Sequence, residues 1–532
     1  MDNALADTLA LVNPFARAEF HEGLVRWPGD TVVASKRSKL FRRLQSQRQS
    51  AAAPPWAALA ADVQTLAPLL RAPTAAETES YDQVCFRGSP WSQLNAIPFA
   101  LVIVAFYKTW ITPAFGVMMP FLTWILPYLF LRSIGGMHLN FTDYTKMLWK
   151  MWNGQLSTSL GLDLPPGDTA SLVTQIKQLL QNGWTLFTLA QAVWHPIQQA
   201  RHFSHLDTSC VVLGEAIVRV KGVAASVLET WSQWLPSWMN GWLSLCPDDT
   251  REAFAYVIES PFWLPHVLRG LGRFECLWQL AAREDVCATD FIESATPVLM
   301  LKGFGDPLIS TEKRIVSSLR LGGGGCHAIL TGPNRGGKSS LMRGILLNVR
   351  LAHAFGAAFA TKAQMSRFAW IADGLRLDDQ PGKLSMFERE VGFAQAILTP
   401  RPGPGLCLYD ELFHSTNPPD AARTSEAFCS RLWTRTDCLS LVSTHVYALA
   451  RDAPASVKKV CVAAWNRGER YTFSYTLQRG ICEVSSVDLL LRQHGLLSAA
   501  PGTAAASGTA AASGAATAAA TAAEKLLPSE QK

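Results

Sequence analysis

An α/β fold, a mostly parallel sheet with helices on its faces, is predicted for residues 301–497, behind a mainly α-helical region. Three short apolar runs predict it: His327–Thr331, Leu406–Tyr409 and Leu439–Val442. Each reads as a buried strand, and each ends abruptly in residues that can do chemistry.

The first run leads into Gly332-Pro333-Asn334-Arg335-Gly336-Gly337-Lys338-Ser339-Ser340. Gly332, Gly337, Lys338 and Ser339 satisfy the G-x-x-x-x-G-K-[ST] phosphate loop, so residues 332–340 are the candidate nucleotide-binding segment. Glycines let successive backbone N–H groups turn inward around a phosphate, and a helix N-terminus adds partial positive charge. Lys338 can reach the β/γ-phosphates, and the Ser339 hydroxyl can ligate Mg²⁺. Leu341, Ile345, Val349 and Ala352 then recur at helical spacing as far as Phe355-Gly356. A strand before and a helix after disfavour the bland alternative, a Gly-rich turn with a chance Lys-Ser.

The second run delivers Asp410-Glu411. A strand ending there would bring Asp410 to the Mg²⁺ shell through water, beside Ser339. Glu411 would take a proton from the attacking water, help that is typically worth about 10²–10⁴ in rate. The third run ends in Ser443-Thr444-His445. A lone His there is more often structural, but its place after the two earlier motifs favours function.

Thr331–Ser340 (TGPNRGGKSS) closely resembles the phosphate loop of the MutS mismatch-repair ATPases, over a stretch from near Gly303 to near Leu497. The resemblance implies an ABC/MutS-like P-loop ATPase domain using ATP and Mg²⁺, with Lys338, Glu411 and His445 catalytic and His445 sensing the γ-phosphate. Ser385-Met386-Phe387-Glu388-Arg389-Glu390 matches the family's S-x-F-x-x-E segment, which implies that Ser385 contacts nucleotide bound by the opposite subunit. A serine N-cap is the structural alternative, and both can hold at once. The partners implied are double-stranded DNA and a second subunit, as a homodimer or a heterodimer with a related ATPase. Two departures stand out: Phe413-His414 replace the family's Gly-Arg in the loop Leu412–Asp420, and Asp306 stands where the family has His before its first strands. No adenine-stacking aromatic is evident from the sequence.

The chain's 532 residues hold several domains, and with 17% charged residues and mean hydropathy +0.11 it is more apolar than an ordinary soluble enzyme. A net charge of +6 is too mild to argue for nucleic acid alone. Eleven cysteines without a C-x-x-C pair suggest reduced, buried thiols inside the cell, in cytosol or nucleus. Met1–Ala10 carries two aspartates and no basic start, unlike a secretory signal.

Residues 1–90 carry a basic run, Lys36 to Arg48, that fits an anionic lipid surface, nucleic acid, a nuclear address or a solvated helix face. Phe20-His21-Glu22 mimics the family's Phe-x-Glu mismatch wedge without its surrounding sequence, and chance explains it better. In 91–134, Trp110–Leu131 is a 22-residue run without a charge, long enough to cross a bilayer core. Ala96–Tyr107 is a second apolar run, so residues 96–131 predict either one crossing helix or a short hairpin dipping from one side, with the ATPase domain cytosolic. A buried hairpin in a soluble core is the alternative. Between 135 and 300 the pattern is helical, with Ser171–Gln181, Cys210–Trp234 and Arg251–Ile258 periodic and Trp231, Trp234, Trp238 and Trp242 read as core packing. Tyr471–Leu477 reads as an edge strand, Ser486 as the cap of a helix Val487–Arg492, and 498–532 as a low-complexity linker.

The function expected is ATP-driven switching of a MutS-type dimer on mismatched or distorted DNA. The rival is a membrane-tethered ATPase that grips DNA or protein without reading mismatches. The intact Lys338, Ser339, Asp410, Glu411 and His445 argue against a third reading, a non-hydrolysing scaffold.

Overall fold

The computed structural model describes residues 2–26, 31–49, 51–88, 90–134, 140–152, 168–375, 385–467, 470–484 and 491. The expected cap and helix at 486–492, apart from 491, and the linker from 498 lie outside the described residues.

The chain opens with α1 (Asp2–Thr8), α2 (Pro14–Val25), α3 (Thr31–Arg48), α4 (Trp56–Thr65) and α5 (Ala75–Val84). Asn13 caps α2 by accepting from the Phe15 amide, and Pro14 occupies the first turn, where no N–H is needed. These helices are not a free appendage. Phe20 is buried in α2, stacked on Phe355 with ring centroids 5.4 Å apart, so it is core and no wedge. The basic run is docked too: Phe41 and Leu44 of α3 are buried, Arg37 donates to the carbonyls of His353 and Ala354, and Arg42 pairs with Asp290.

The apolar runs at 96–131 do not fold back on each other, which corrects the short-hairpin alternative. α6 (Ala100–Phe106) passes through a π-helical turn at Tyr107–Ile111 straight into α7 (Thr112–Ser133). The result is one 34-residue apolar helix, and only 6% of its most apolar window is buried, so it is not the core hairpin of a soluble protein either. α8 (Phe141–Trp152) folds back along the C-terminal half of α7, where the Tyr144 hydroxyl donates to the Trp124 carbonyl at 2.9 Å and its ring packs on Tyr128.

The periodic stretches at 171–181 and 210–231 fall in one helix, α9 (Asp168–Trp231), 64 residues long and therefore about 96 Å, and Ser232–Trp234 follow as a separate 3-10 turn. α10 (Trp238–Leu245), α11 (Thr250–Glu259) and α12 (Trp263–Ala281) close the helical block. Trp231 and Trp242 are buried in it, on different helices, while Trp234 and Trp238 are partly covered.

Two sheets follow. β1 (Cys287–Phe291), β2 (Leu299–Phe304), β3 (Ser317–Leu321), β5 (Ala357–Ala358) and β6 (Lys362–Met365) form a mainly antiparallel sheet in the order β3-β2-β6-β1-β5, which the sequence reading did not anticipate. The other sheet holds β4 (His327–Thr331), β7 (Trp370–Gly374), β8 (Gly405–Tyr409), β9 (Cys438–Ser443), β10 (Val457–Arg467) and β11 (Arg470–Arg479) in the order β11-β10-β4-β9-β8-β7. Its pairs are parallel except the edge hairpin β10–β11. Between the sheets runs α13 (Lys338–Phe355), buried almost all round and stopped by Gly356 in the left-handed conformation. A Cβ on Gly356 would also meet the Ser38 backbone at 2.6 Å, so the turn and the docking of α3 both require glycine. α14 (Met386–Leu398), α15 (Pro418–Leu432) and α16 (Tyr447–Asp452) cover the far face.

Candidate active site

Parallel strands put their C-terminal ends on one edge, and the polar endings of β4, β8 and β9 meet there. β4 passes into the phosphate loop. Gly332 has φ 149° and a Cβ there would lie 2.8 Å from the Val462 carbonyl; Gly337 has φ 92° and opens α13. Arg335, exposed in the loop, holds φ 66° without being glycine. Lys338 is buried, and its Nζ donates to the carbonyls of Gly332 (3.0 Å) and Pro333 (3.2 Å). Burial pulls the Lys338 pKa down, while the nearby Glu411 and Asp410 carboxylates oppose that.

β9 supplies the strap for the two acids. Ser443 Oγ donates to Asp410 Oδ1 at 2.5 Å and accepts from the Glu411 amide at 2.8 Å, and the Leu412 amide binds the Ser443 carbonyl. Glu411 and Phe413 both take positive φ, 53° and 49°, a strained turn of the kind found at functional sites. His445 Nε2 lies 3.5 Å from Glu411 Oε1 and 3.3 Å from Lys338 Nζ. That His445 contact is the main cause holding the Glu411 carboxyl below its ordinary pKa.

A cavity of about 540 Å³ opens over these groups, lined by Pro333 to Arg335, Gly337 to Leu341 and Glu411. Its other wall mixes the apolar Phe304, Ile309, Ile315 and Tyr475, which the sequence reading missed, with Asp306, Lys313 and Ser317. Tyr475 arrives from β11, far along the chain, with φ 52° and its ring close over Gly337. No local motif marks it. Asp306, at the site of the family's His, is buried and ion-paired to Arg343 at 2.5 Å.

Ser385 caps α14, its Oγ accepting from the Glu388 amide at 3.2 Å while Glu388 reaches back to the Ser385 amide. It is not among the residues lining the cavity of its own chain. Farther along α14 the buried Glu390 accepts from Ser415 Oγ, and its Oε1 lies 2.8 Å from His414 Nδ1. Phe413 is wholly buried against Tyr409 and Phe428. The departures Phe413-His414 therefore fix the loop after Glu411 to the body, Phe413 by burial and His414 through α14.

Ser339 and Asp410 supply hydroxyl and carboxylate oxygens, a donor set that suits a hard cation such as Mg²⁺. Among the described residues no cluster of three His, Cys, Asp or Glu side chains offers a softer metal a site.

A parallel sheet, a glycine-bent loop on a buried helix and an acid pair strapped beside it define the class: an α/β domain of P-loop ATPase type. Residues 328–490 match the family description MutS domain V, an α/β ATPase domain. The chain is also similar to the DNA mismatch repair protein MSH3 of Pyricularia oryzae, 36% identical over 127 residues. That match spans 24% of this chain and 11% of the relative's length. Both findings support kinship with the MutS family.

Proposed function

We propose that this protein binds and hydrolyses ATP with Mg²⁺ and uses the cycle to switch a MutS-type dimer on duplex DNA. One observation carries it: Lys338, Glu411 and His445, from three separate strand ends, converge within 3.5 Å contacts at the mouth of the phosphate loop. In this reading the free backbone amides of the 332–340 loop, Pro333 having none to give, and Lys338 cradle the phosphates, and Ser339 and Asp410 would hold a cation that neutralises them. Glu411 takes the proton of the attacking water, with His445 orienting it and sensing the γ-phosphate. Tyr475, Phe304, Ile309 and Ile315 receive the base. Ser385, away from its own cavity, completes the cavity of a second subunit, a homodimer or a heterodimer with a related ATPase. The setting is intracellular, where duplex DNA is found.

The test is duplex binding, matched against mismatched, with and without ATP and magnesium. Tighter binding to mismatched or distorted duplex that responds to nucleotide supports the proposal. Equal affinity for both duplexes moves it to the second reading, a membrane-tethered ATPase that grips DNA or protein without sensing mismatches. The observation that favours this second reading is the exposed apolar helix at 100–133.

A further inference from the structure

The helix formed by α6 and α7 leaves Phe115, Met119, Phe121, Leu126, Leu129 and Phe130 in contact with solvent. About half of each such side chain stays exposed, against about 1.5–3 kcal/mol for full burial, so a helix of this kind calls for a covering medium. It does not stand alone. α9 runs antiparallel beside it, and two contacts fix the register: Gly116 lies against Pro196, where a Cβ would fall 2.7 Å from the proline ring, and the Lys108 ammonium sits 5.3 Å from the centroid of Phe203. In that register Arg201 stands level with the turn that carries Lys108, and Lys177 is level with the far end near Arg132.

By chain position the charged residues therefore bracket both helices to within about one turn of each other. Lys108 to Arg132 encloses twenty-three residues without Asp, Glu, Lys or Arg, and Lys177 to Arg201 encloses the same number. At 1.5 Å per residue each stretch is about 35 Å long, against about 30 Å for a bilayer's hydrocarbon core. The α9 stretch exposes its own large apolar side chains, Leu179, Leu180, Trp184, Leu186, Phe187 and Trp194. Hydropathy alone hides it, because Thr188, Gln191, His195, Gln198 and Gln199 form an exposed polar stripe along one side.

We propose that α7 and the first part of α9, residues 109–131 and 178–200, insert together into a lipid bilayer as a two-legged hairpin. Both soluble flanks then lie on one side, and residues between the legs cross to the other. The inference rests on the tethered reading and adds the second leg and the topology. A bilayer, rather than a protein partner, is the occupant because the uncharged length matches a hydrocarbon core at both legs. The cations at both ends also suit lipid headgroups. The polar stripe makes α9 a poor segment by itself, so the pair is the inserting unit.

The full chain is translated with microsomes and extracted with carbonate, and N-glycan acceptors report the side. Asn140-Phe141-Thr142 is native, and Gln155→Thr makes Asn153 an acceptor between the legs; Asp248→Asn makes one on the body. The expected result is carbonate-resistant protein, modified between the legs and unmodified at 248. Modification at both places means a single crossing and overturns the hairpin while keeping the tether. Carbonate-resistant protein modified at neither place overturns the crossing in the same way. Protein wholly in the supernatant overturns both the hairpin and the tether. Leu180→Arg with Phe187→Arg, checked for retained ATP binding, should abolish modification between the legs; unchanged modification removes α9 as the second leg.

Discussion

Lys338 Nζ and His445 Nε2 stand 3.3 Å apart, with the ammonium also tied to two carbonyls of its own loop. Nε2 serves one of these neighbours at a time: without its proton it accepts from the Lys338 ammonium, and with it the imidazole faces the Glu411 carboxylate instead. Lys338 is thus folded onto the protein, and a triphosphate would have to draw it away from His445. Glu411 Oε1 lies 3.5 Å from the same Nε2, so a move of Lys338 away from His445 would change the surroundings of both side chains.

Glu411→Gln keeps the turn, since the Ser443 strap binds the residue's backbone amide. ATP binding should survive while turnover falls about 10²–10⁴-fold. Nucleotide titration and single-turnover hydrolysis check both halves, and undiminished hydrolysis removes the base assignment.

Ser385 tests whether sites are shared. Ser385→Ala and Lys338→Ala chains, each inactive alone, should regain part of the activity when mixed, because one hybrid site is intact. No rescue at any mixing ratio means that each chain completes its own site.

Tyr475 is assigned to the base and not to the phosphates. Tyr475→Ala should weaken ATP binding about tenfold, within the 1–3 kcal/mol typical of base–aromatic stacking, and leave tripolyphosphate binding unchanged. Equal loss for both ligands would falsify the stacking role.

Gly272 on α12 is where α2 crosses, and a Cβ there would fall 2.6 Å from the Ala16 amide nitrogen. Backbone cannot move aside as a side chain can. Gly272→Ala should cost about 1–3 kcal/mol in denaturant unfolding, as overpacking does. A neutral change would mean that α2 is not clamped there.

Glu275, buried beneath that crossing, accepts from the Val12 amide at 3.0 Å and leaves Oε2 without a partner. Burial pushes its pKa up to about 7. A raised pKa means that the folded state holds the proton more tightly. This contribution is full below the ordinary carboxyl pKa and is lost as pH rises through about 7. Glu275→Gln should therefore gain stability over the parent at pH 8, by up to about 3 kcal/mol, and show no gain near pH 4. The same difference at both pH values would place the proton elsewhere.

Local chemistry made the candidate site's edge of the sheet legible in the sequence. Gly332, Lys338, Asp410 and His445 each follow an apolar run that must be a buried strand, and parallel strands deliver their ends to one edge whatever lies around them. The docking of α2 and α3, the place of Tyr475 beside the phosphate loop, and the partnership of α7 with α9 were not legible. Each depends on contacts between residues far apart in the chain, and no spacing or composition encodes such contacts. The glutamines and His195 on α9 illustrate the reason: they lower its hydropathy to that of a soluble helix, and only the register set by Gly116 against Pro196 shows which uncharged stretch stands beside it.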